Sequence, residues 1–274
     1  MNFLWRAGLQ SLIRTAGLVV LFLAGLSHAQ ELVTLPVRDG ASQSFLLLVP
    51  RDAQPVAAVV LFPGGPGSIR LRSEGGEIKF GQGNFLVRSR GLFSDRGLAT
   101  VVMDAPSDQS GGMDDAFRLG DKHAADIAAV VADVKKRFPN IPVYLVGTSR
   151  GTISAANGAR ALGSDVAGVI LTSTLFFGPS RYGNGLAGFD YAKITAPLLL
   201  VHHVRDGCKF TPYRSAKSLS EARNYPLISV DGGSPATSDA CEAQSPHGYL
   251  GKEAETVEAM VNWALKKPFA ANIN

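Results

Sequence analysis

The sequence predicts an α/β fold whose β-sheet is mainly parallel and covered by helices on both faces. Apolar runs of strand length alternate with segments of helical periodicity along most of the chain. Most of these runs are continuous and do not alternate with polar residues, which is typical of strands buried on both faces. Hydrophobic residues make up 46% of the 274 residues, enough to build a sizeable core.

Eight strands are predicted in order along the chain. Residues 31–37 and 43–49 form a predicted hairpin around Asp39-Gly40. The remaining six are the apolar runs 56–62, 98–103, 141–146, 166–172, 196–202 and 226–230. Helices are predicted between them: the helical period runs from Ala124 to Phe138, and further candidates are 150–162, 212–222 and 252–265.

The first 29 residues are expected to be a secretory signal peptide. Arg6 and Arg14 are their only charged residues, and the apolar run from Ala16 to Leu26 leads to a small-x-small cleavage site at Ser27-His28-Ala29. An uncleaved membrane anchor is the alternative, but the run is short for a span of roughly 20 residues. We therefore expect residues 30–274 to form one domain that is periplasmic or secreted.

The charge of the chain argues against nucleic acid as a partner. Removing the first 29 residues takes away two arginines and no acidic residue, so the net charge falls from +4 to +2. No basic run and no stripe of basic and aromatic residues occurs in the sequence. After signal cleavage we also expect no membrane partner.

A five-residue motif, Gly147-Thr148-Ser149-Arg150-Gly151, lies between the predicted strand 141–146 and the predicted helix 150–162. A G-x-S-x-G motif between a strand and a helix is typical of a nucleophilic serine held on a sharp turn. The two glycines are needed because side chains at their positions would clash with neighbouring backbone. The alternative is a serine that only caps an ordinary turn between strand and helix.

With this motif, and over nearly all of the chain after residue 29, the sequence resembles the α/β-hydrolase superfamily. The resemblance implies an α/β-hydrolase fold with a mainly parallel sheet of the eight-stranded type and helices on both faces. In that family the catalytic triad follows the chain order Ser, acid, His. Family members with a helical lid insert it at a place that corresponds here to residues 174–195, and this interval is too short for a large lid domain.

The family order implies a triad of Ser149, Asp206 and His247. Asp206 follows the strand 196–202, and His247 lies in a loop before the final helix. Asp231 is the second candidate for the acid, and either Asp206 or His247 can instead be an ordinary loop residue. Among the other histidines, His202 and His203 end a strand, and His123 is expected at the surface.

The loop Pro63-Gly64-Gly65-Pro66-Gly67 follows the strand 56–62. It is similar to the His-Gly-Gly-type loops of esterases and to the His-Gly-Gly-Pro-Gly loop of proline iminopeptidases, with Pro63 in place of the histidine. The resemblance implies an oxyanion hole made by the backbone N–H groups of Gly65 and Arg150, with Gly64 as the alternative to Gly65. A phosphate-binding loop is not supported, because the required lysine is absent.

Cys208 and Cys241 are the only cysteines in the chain. An even number of cysteines in an exported chain predicts a disulfide, and two free thiols are the alternative. Because Cys208 follows Asp206 and Cys241 precedes His247, this disulfide would tie the loop of the acid to the loop of the base.

Two further groups of residues occur close together in the sequence. Four aspartates follow the predicted strand 98–103: Asp104, Asp108, Asp114 and Asp115. No histidine and no calcium-loop spacing accompanies them, so we expect a solvated loop and no metal site. A group of aromatic residues is either a rim of the binding site or internal packing; its members are Phe176, Phe177, Tyr182, Phe189 and Tyr191.

The resemblance implies an exported serine hydrolase that cleaves a carboxylic ester through an acyl-enzyme intermediate. Its partner would be a small-molecule ester or acyl substrate, and the chemistry would need no cofactor. Two alternatives stay open: a peptidase or amidase that uses the same triad, and an exported binding protein without catalytic activity.

Overall fold

A nine-stranded sheet forms the centre of the protein in this computed structural model, which describes residues 29–51, 53–178 and 183–274. The strands in chain order are β1 (Ala29–Arg38), β2 (Ala41–Val49), β3 (Ala57–Phe62), β4 (Arg72–Glu74), β5 (Glu77–Lys79), β6 (Leu98–Met103), β7 (Val143–Thr148), β8 (Gly168–Thr172), β9 (Leu198–His203), β10 (Leu227–Val230) and β11 (Asn272–Ile273). The central sheet has the order β1-β2-β6-β3-β7-β8-β9-β10-β11, and β4 and β5 form a separate hairpin.

The central sheet is mainly parallel, as predicted. Strand β2 is antiparallel to both β1 and β6, and every other neighbouring pair is parallel. All eight predicted strands are present in it. The ninth strand, β11, was not predicted, because two residues are too few to give a periodic pattern.

Helices cover both faces of the sheet. They are α1 (Phe85–Arg88), α2 (Arg90–Ser94), α3 (Asp115–Leu119), α4 (Asp121–Arg137), α5 (Gly151–Leu162), α6 (Tyr213–Arg223) and α7 (Glu253–Ala264). The four predicted helices correspond to α4, α5, α6 and α7. The first three were missed, because helices of four or five residues show little more than one turn of periodicity.

The two faces of each central strand contribute to two separate cores. In β3, Ala58, Val60 and Phe62 pack on the side of α4 and α5, and the residues between them pack on the side of α1, α2 and α7. Because successive side chains of a strand point to opposite faces, a strand buried on both faces is apolar at every position. This is why β3 and its neighbours appear in the sequence as continuous apolar runs.

The connection between β8 and β9 is short. In its described part it contains one 3-10 turn, Tyr191–Lys193, and no helical domain. The expectation that no large lid is present is therefore confirmed for the described residues.

The predicted signal peptide lies almost entirely outside the described residues, and only its last residue, Ala29, is described, as the start of β1. Among the described residues, no helix combines the length and the hydropathy that a membrane span requires.

Candidate active site

An open cavity of about 970 Å³ lies where the carboxyl ends of the central strands meet. Open α/β sheets bind ligands at this edge. Ser149 and His247 both line the cavity, together with residues of the Gly-rich loop after β3 and with the bonded cysteines. Its apolar lining comes from the side chains of Ile69, Phe85, Met113, Leu175 and Phe210.

Ser149 lies on the sharp turn that joins β7 to α5. Its φ of 53° is in the left-handed region, which non-glycine residues rarely adopt. A Cβ atom on Gly147 would lie 2.4 Å from the carbonyl oxygen of Gly151, and one on Gly151 would lie 2.0 Å from that of Phe62. The turn is therefore possible only with glycine at both positions, and it holds Ser149 at the wall of the cavity.

His247 and Asp206 are hydrogen-bonded to each other. The distance from His247 Nδ1 to Asp206 Oδ2 is 3.0 Å, and the carboxylate side chain is fully buried. The other carboxylate oxygen accepts from the N–H of Cys208 at 2.9 Å, and the Thr211 hydroxyl donates to Oδ2 at 2.8 Å. Because a carboxylate oxygen accepts, the Nδ1–H of His247 donates this hydrogen bond, and in the neutral imidazole Nε2 is then the acceptor.

The backbone of His247 is anchored from the sheet. The Ser173 hydroxyl, just past the end of β8, donates to the carbonyl oxygen of His247 at 2.8 Å. The hydroxyl of Tyr249 accepts from the Ser173 N–H at 3.0 Å and donates to the carbonyl of Val201 at 2.7 Å. Tyr249 is fully buried, and burial raises the pKa of its phenol. These contacts fix the histidine loop to β8 and β9, the strands next to β7 on the side away from β3, and β7 leads into the turn of Ser149.

Asp231, the second candidate for the acid, lies elsewhere. It forms an ion pair with Arg205 at 2.6 Å, and its side chain is 45% exposed. Its pKa is lowered, first by the hydrogen bond from the Gly232 N–H. In the described residues it makes no contact with His247, so the structure brings Asp206 and not Asp231 to the histidine.

The Gly-rich loop after β3 passes directly beside Ser149. A Cβ atom added to Gly64 would lie 3.0 Å from the Cβ of Ser149. Gly65 has a φ of 58°, and its carbonyl oxygen accepts hydrogen bonds from Arg118 at 3.2 Å and Arg150 at 3.5 Å. The two residues of the predicted oxyanion hole, Gly65 and Arg150, thus both lie at the cavity wall next to the serine.

Cys208 and Cys241 form a disulfide, with their Cα atoms 4.6 Å apart. The predicted pairing is confirmed. Both cysteines line the cavity, and Cys208 is buried. The bond therefore closes one wall of the cavity and connects the loop after β9 with the segment before His247.

The four aspartates after β6 have structural partners in the described residues. Asp104 accepts from the N–H groups of Ile69, Leu71 and Ala105 at 2.7 to 2.8 Å. Asp108 forms an ion pair with Arg38, and Asp115 forms one with Arg150. The side chain of Asp114 caps helix α3. The expectation of a solvated loop was wrong for Asp104 and Asp115, which are buried. Asp104 holds the segment just after the Gly-rich loop, and Asp115 holds the serine turn through Arg150.

The expectation that His123 lies at the surface was also wrong. Its side chain is 1% exposed and packs against the rings of Phe62 and Phe117. Burial, with Arg118 nearby, lowers its pKa to about 3. His202 is also buried, and burial lowers its pKa to about 3, while its Nε2 accepts from the Thr174 N–H at 2.8 Å.

Most of the aromatic residues between β8 and β9 belong to internal packing. Phe176 contacts the ring of His202, and Phe189 contacts the buried Tyr191. Phe177 is half-exposed, and Tyr182 lies outside the described residues. None of the four described aromatics lines the cavity, so the interpretation as a binding rim is not supported for them.

Three residues that position the site were missed at the sequence level. Arg118 holds the Gly-rich loop and Asp104 holds the segment just after it, but the residues that they contact there are 33 to 53 positions away in the chain, so no local pattern predicts these contacts. Asn84 caps α1 and lines the cavity. Its position directly before the apolar residues Phe85-Leu86-Val87 is a capping signal that could have been recognised.

Neither a family sequence model nor a curated protein matches the chain. Its structure, however, is similar to solved structures. Est1E from Butyrivibrio proteoclasticus is 17% identical, with 86% of this chain and 98% of that one covered and a TM-score of 0.60. An esterase from Pyrococcus furiosus is 15% identical, with 88% and 93% covered and a TM-score of 0.60.

A serine hydrolase without a lid from Xanthomonas campestris is also similar. It is 16% identical, 84% of this chain and 94% of that one are covered, and the TM-score is 0.56. Together with the mainly parallel sheet, the strand order and the turn that carries Ser149, these similarities identify the architecture. The chain has the fold of the α/β-hydrolase superfamily.

Proposed function

We propose that the protein is an exported serine hydrolase that cleaves a carboxylic ester with a triad of Ser149, His247 and Asp206. The observation that carries the proposal is the buried hydrogen bond between His247 and Asp206, in a cavity that Ser149 also lines. A serine on a left-handed turn and a histidine oriented by a buried carboxylate are the two parts that nucleophilic catalysis by a hydroxyl requires.

In the proposed reaction, Ser149 Oγ attacks the ester carbonyl carbon while His247 Nε2 takes its proton. Asp206 keeps the proton of the imidazole on Nδ1 and stabilises the imidazolium that forms. The N–H groups of Gly65 and Arg150 donate to the oxyanion of the tetrahedral intermediate. His247 then protonates the leaving alcohol, and a water molecule repeats the sequence on the acyl-enzyme to release the acid. These steps use only groups of the chain and water.

In the described residues, Ser149 makes no hydrogen bond to His247. Catalytic hydrogen bonds are often long without substrate and tighten when it binds, so this geometry is compatible with the proposal.

The cavity suits an ester of moderate or large size. It is open, has a volume of about 970 Å³ and presents aromatic and aliphatic side chains such as Phe85, Phe210 and Leu175. Est1E, which shares the fold, has been solved with ferulic acid bound, an aromatic carboxylic acid. We therefore propose esters with an aromatic or long aliphatic acyl group as the substrates to test first.

Two observations support export. The disulfide between Cys208 and Cys241 is typical of proteins from oxidising compartments. The first 29 residues have the charge, the apolar run and the cleavage site of a signal peptide. We propose that the protein works in a periplasm or outside the cell.

The test is labelling with a fluorophosphonate, which reacts with activated serines. We expect wild-type protein to be labelled at Ser149 and to hydrolyse p-nitrophenyl esters. Ser149→Ala should fold normally, take up no label and lose at least about 10³-fold in kcat, as when a triad member is removed from other enzymes. Ser218→Ala, at an exposed serine of α6, is the control and should behave as wild type.

Two kinds of substrate, esters and amides, separate the proposed esterase from the alternative functions. Faster turnover of aminoacyl anilides than of p-nitrophenyl esters would assign a peptidase or amidase to the same triad. Wild-type protein that is neither labelled nor active would contradict the proposal and favour a binding protein without catalytic activity.

A further inference from the structure

Asn84 lies at the edge of the cavity and uses only one end of its side-chain amide within the protein. Its Oδ1 accepts a hydrogen bond from the Leu86 N–H at 3.0 Å and so caps helix α1. Because the cap requires an acceptor, the oxygen must face the helix, and the Nδ2 group must face away from it. The orientation of the amide is therefore set by the chain itself.

The Nδ2 group faces the space beside Ser149. A Cβ atom added to Gly64 would lie 3.4 Å from Asn84 Nδ2 and 3.0 Å from the Cβ of Ser149. An atom at that point would therefore touch both side chains. The same point also lies 3.0 Å from the carbonyl oxygen of Thr148, so it is too close to its neighbours to hold a ligand atom. It shows instead that the Asn84 amide and Ser149 both lie beside Gly64, at the wall of the cavity that all three residues line.

Within the described residues, Asn84 Nδ2 makes no hydrogen bond, although two N–H bonds are available on it. It is half-buried at the wall of the cavity, where solvent or a bound molecule can accept a hydrogen bond from it. The atom of an ester that comes closest to a nucleophilic serine and accepts hydrogen bonds is the carbonyl oxygen.

We propose that the side-chain amide of Asn84 is a third donor of the oxyanion hole, beside the backbone N–H groups of Gly65 and Arg150. This inference rests on the proposed function. When the Ser149 oxygen bonds to the carbonyl carbon, the π electrons of the carbonyl move to its oxygen, and the serine proton goes to His247. Asn84 donates a hydrogen bond to the resulting oxyanion and transfers no proton.

A donor to this oxygen acts mainly on kcat. The negative charge on the oxygen is larger in the transition state than in the bound ester, so the hydrogen bond strengthens as the reaction proceeds. A residue that only capped α1 would have no such preference, and its loss would change stability and activity together.

Substitutions at Asn84 separate the two roles. Serine and aspartate are good capping residues with an oxygen for the Leu86 N–H, but neither has an amide donor. We expect Asn84→Ser to lower kcat by about 10² to 10³-fold, the loss seen when one oxyanion donor is removed elsewhere, with little change in KM. Asn84→Asp should lose at least as much, since its charge repels the oxyanion, and both variants should melt near the wild-type temperature.

A matched control tests the exchange of a cap away from the cavity. Asp190 caps a 3-10 turn with the same spacing, accepting from the Ala192 N–H two residues later at 3.1 Å. Asp190→Ser should keep wild-type kcat and KM.

A tetrahedral analogue provides the decisive measurement. An aryl trifluoromethyl ketone adds to the active serine and forms an oxyanion in the hole. We expect its inhibition constant to rise about 10²-fold in Asn84→Ser, in parallel with the loss of kcat/KM. A lower kcat with an unchanged inhibition constant would assign a structural role and overturn the inference.

Fluorophosphonate labelling of the wild type shows whether the inference on Asn84 or the proposed function itself has failed. If the wild type is labelled at Ser149 and Asn84→Ser keeps kcat within threefold, the inference is wrong and the proposed function stands. If the wild type is neither labelled nor active, both are wrong.

Discussion

Cys208 is bonded to Cys241 and, through its backbone N–H, also holds the carboxylate of Asp206 at 2.9 Å. The bond reaches across the cavity wall from the loop of the proposed acid to the segment that leads to His247. The acid and the base come from loops 41 residues apart, and their hydrogen bond needs both loops in place. The disulfide therefore links the geometry of the proposed triad to the redox state of Cys208 and Cys241.

We expect reduction of the disulfide, or Cys208→Ser, to lower activity at temperatures where the fold is intact. The bond closes a loop over a sequence separation of 33 residues, for which the chain-entropy model gives roughly 3 to 4 kcal/mol of stability. The larger effect should be on kcat, because a displacement of the catalytic pair by about 1 Å can cost about 100-fold.

Circular dichroism and p-nitrophenyl ester hydrolysis, measured with and without reductant, test this. Cys241→Ser should match Cys208→Ser, and the double variant should lose no more activity than either. Two alkylatable thiols in native, active protein that has not been reduced would contradict the prediction.

The second prediction concerns the acid. Asp206→Asn should lower kcat by about 10³ to 10⁴-fold, because an amide at this position can hold the imidazole in the wrong tautomer. Asp231→Asn should keep kcat within threefold, since Asp231 is half-exposed and pairs with Arg205. Steady-state kinetics of the two variants, with melting temperatures to check the fold, make the comparison. The opposite ranking would move the acid to Asp231.

The third prediction concerns Arg118, whose fully buried guanidinium donates to the carbonyl of Gly65 at 3.2 Å and to the hydroxyl of Ser154 at 2.8 Å. We expect Arg118→Met to lower kcat by roughly tenfold or more, because the loop with the proposed Gly65 donor loses an anchor. Asp115 remains paired with Arg150 in this variant, so no buried carboxylate is left alone.

Ser154→Ala is the control for Arg118. It removes the hydrogen bond to Arg118 and leaves the bond to Gly65, so kcat should stay within threefold of wild type. Equal losses in both variants would mean that Arg118 acts through α5 and not through the Gly-rich loop.

The local parts of the fold and site are predictable from the sequence, and the long-range parts are not. The turn at Ser149 needs two glycines within five residues, so a contiguous sequence motif is enough to predict it. The buried strands are visible because every position in them is apolar. By contrast, Asp104 and Arg118 act on a loop that lies far away in the chain, and the residues at either end of such a contact carry no shared pattern.

His123 shows how a local pattern can mislead. It lies in the first turn of an amphipathic helix, among charged residues, where exposure is the usual outcome. The short helix α3 folds back beside it, and Phe117 covers the imidazole. Because α3 is only five residues long, its presence, and with it the burial of His123, could not be inferred from periodicity.

The fourth prediction follows from that burial. The side chain of His123 is 1% exposed, and neither ring nitrogen has a hydrogen-bond partner in the described residues. Burial is the main reason that its pKa falls to about 3, and the charges of Arg118 and Arg38 act in the same direction. An unfolded histidine has a pKa near 6.5. Between these two values the unfolded chain binds a proton that the folded protein does not.

Stability should therefore fall as the pH drops from about 6.5 towards 3, with His123 contributing up to about 1.4 kcal/mol per pH unit. His202, whose pKa burial also lowers to about 3, contributes with the same sign. We expect His123→Leu to make the fall visibly shallower and Lys122→Gln, at the exposed neighbouring position, to leave it unchanged. Urea unfolding at half-unit steps between pH 4.5 and 8 measures the slope. An identical slope in His123→Leu and wild type would mean that His123 takes up its proton in the folded protein as readily as in the unfolded chain.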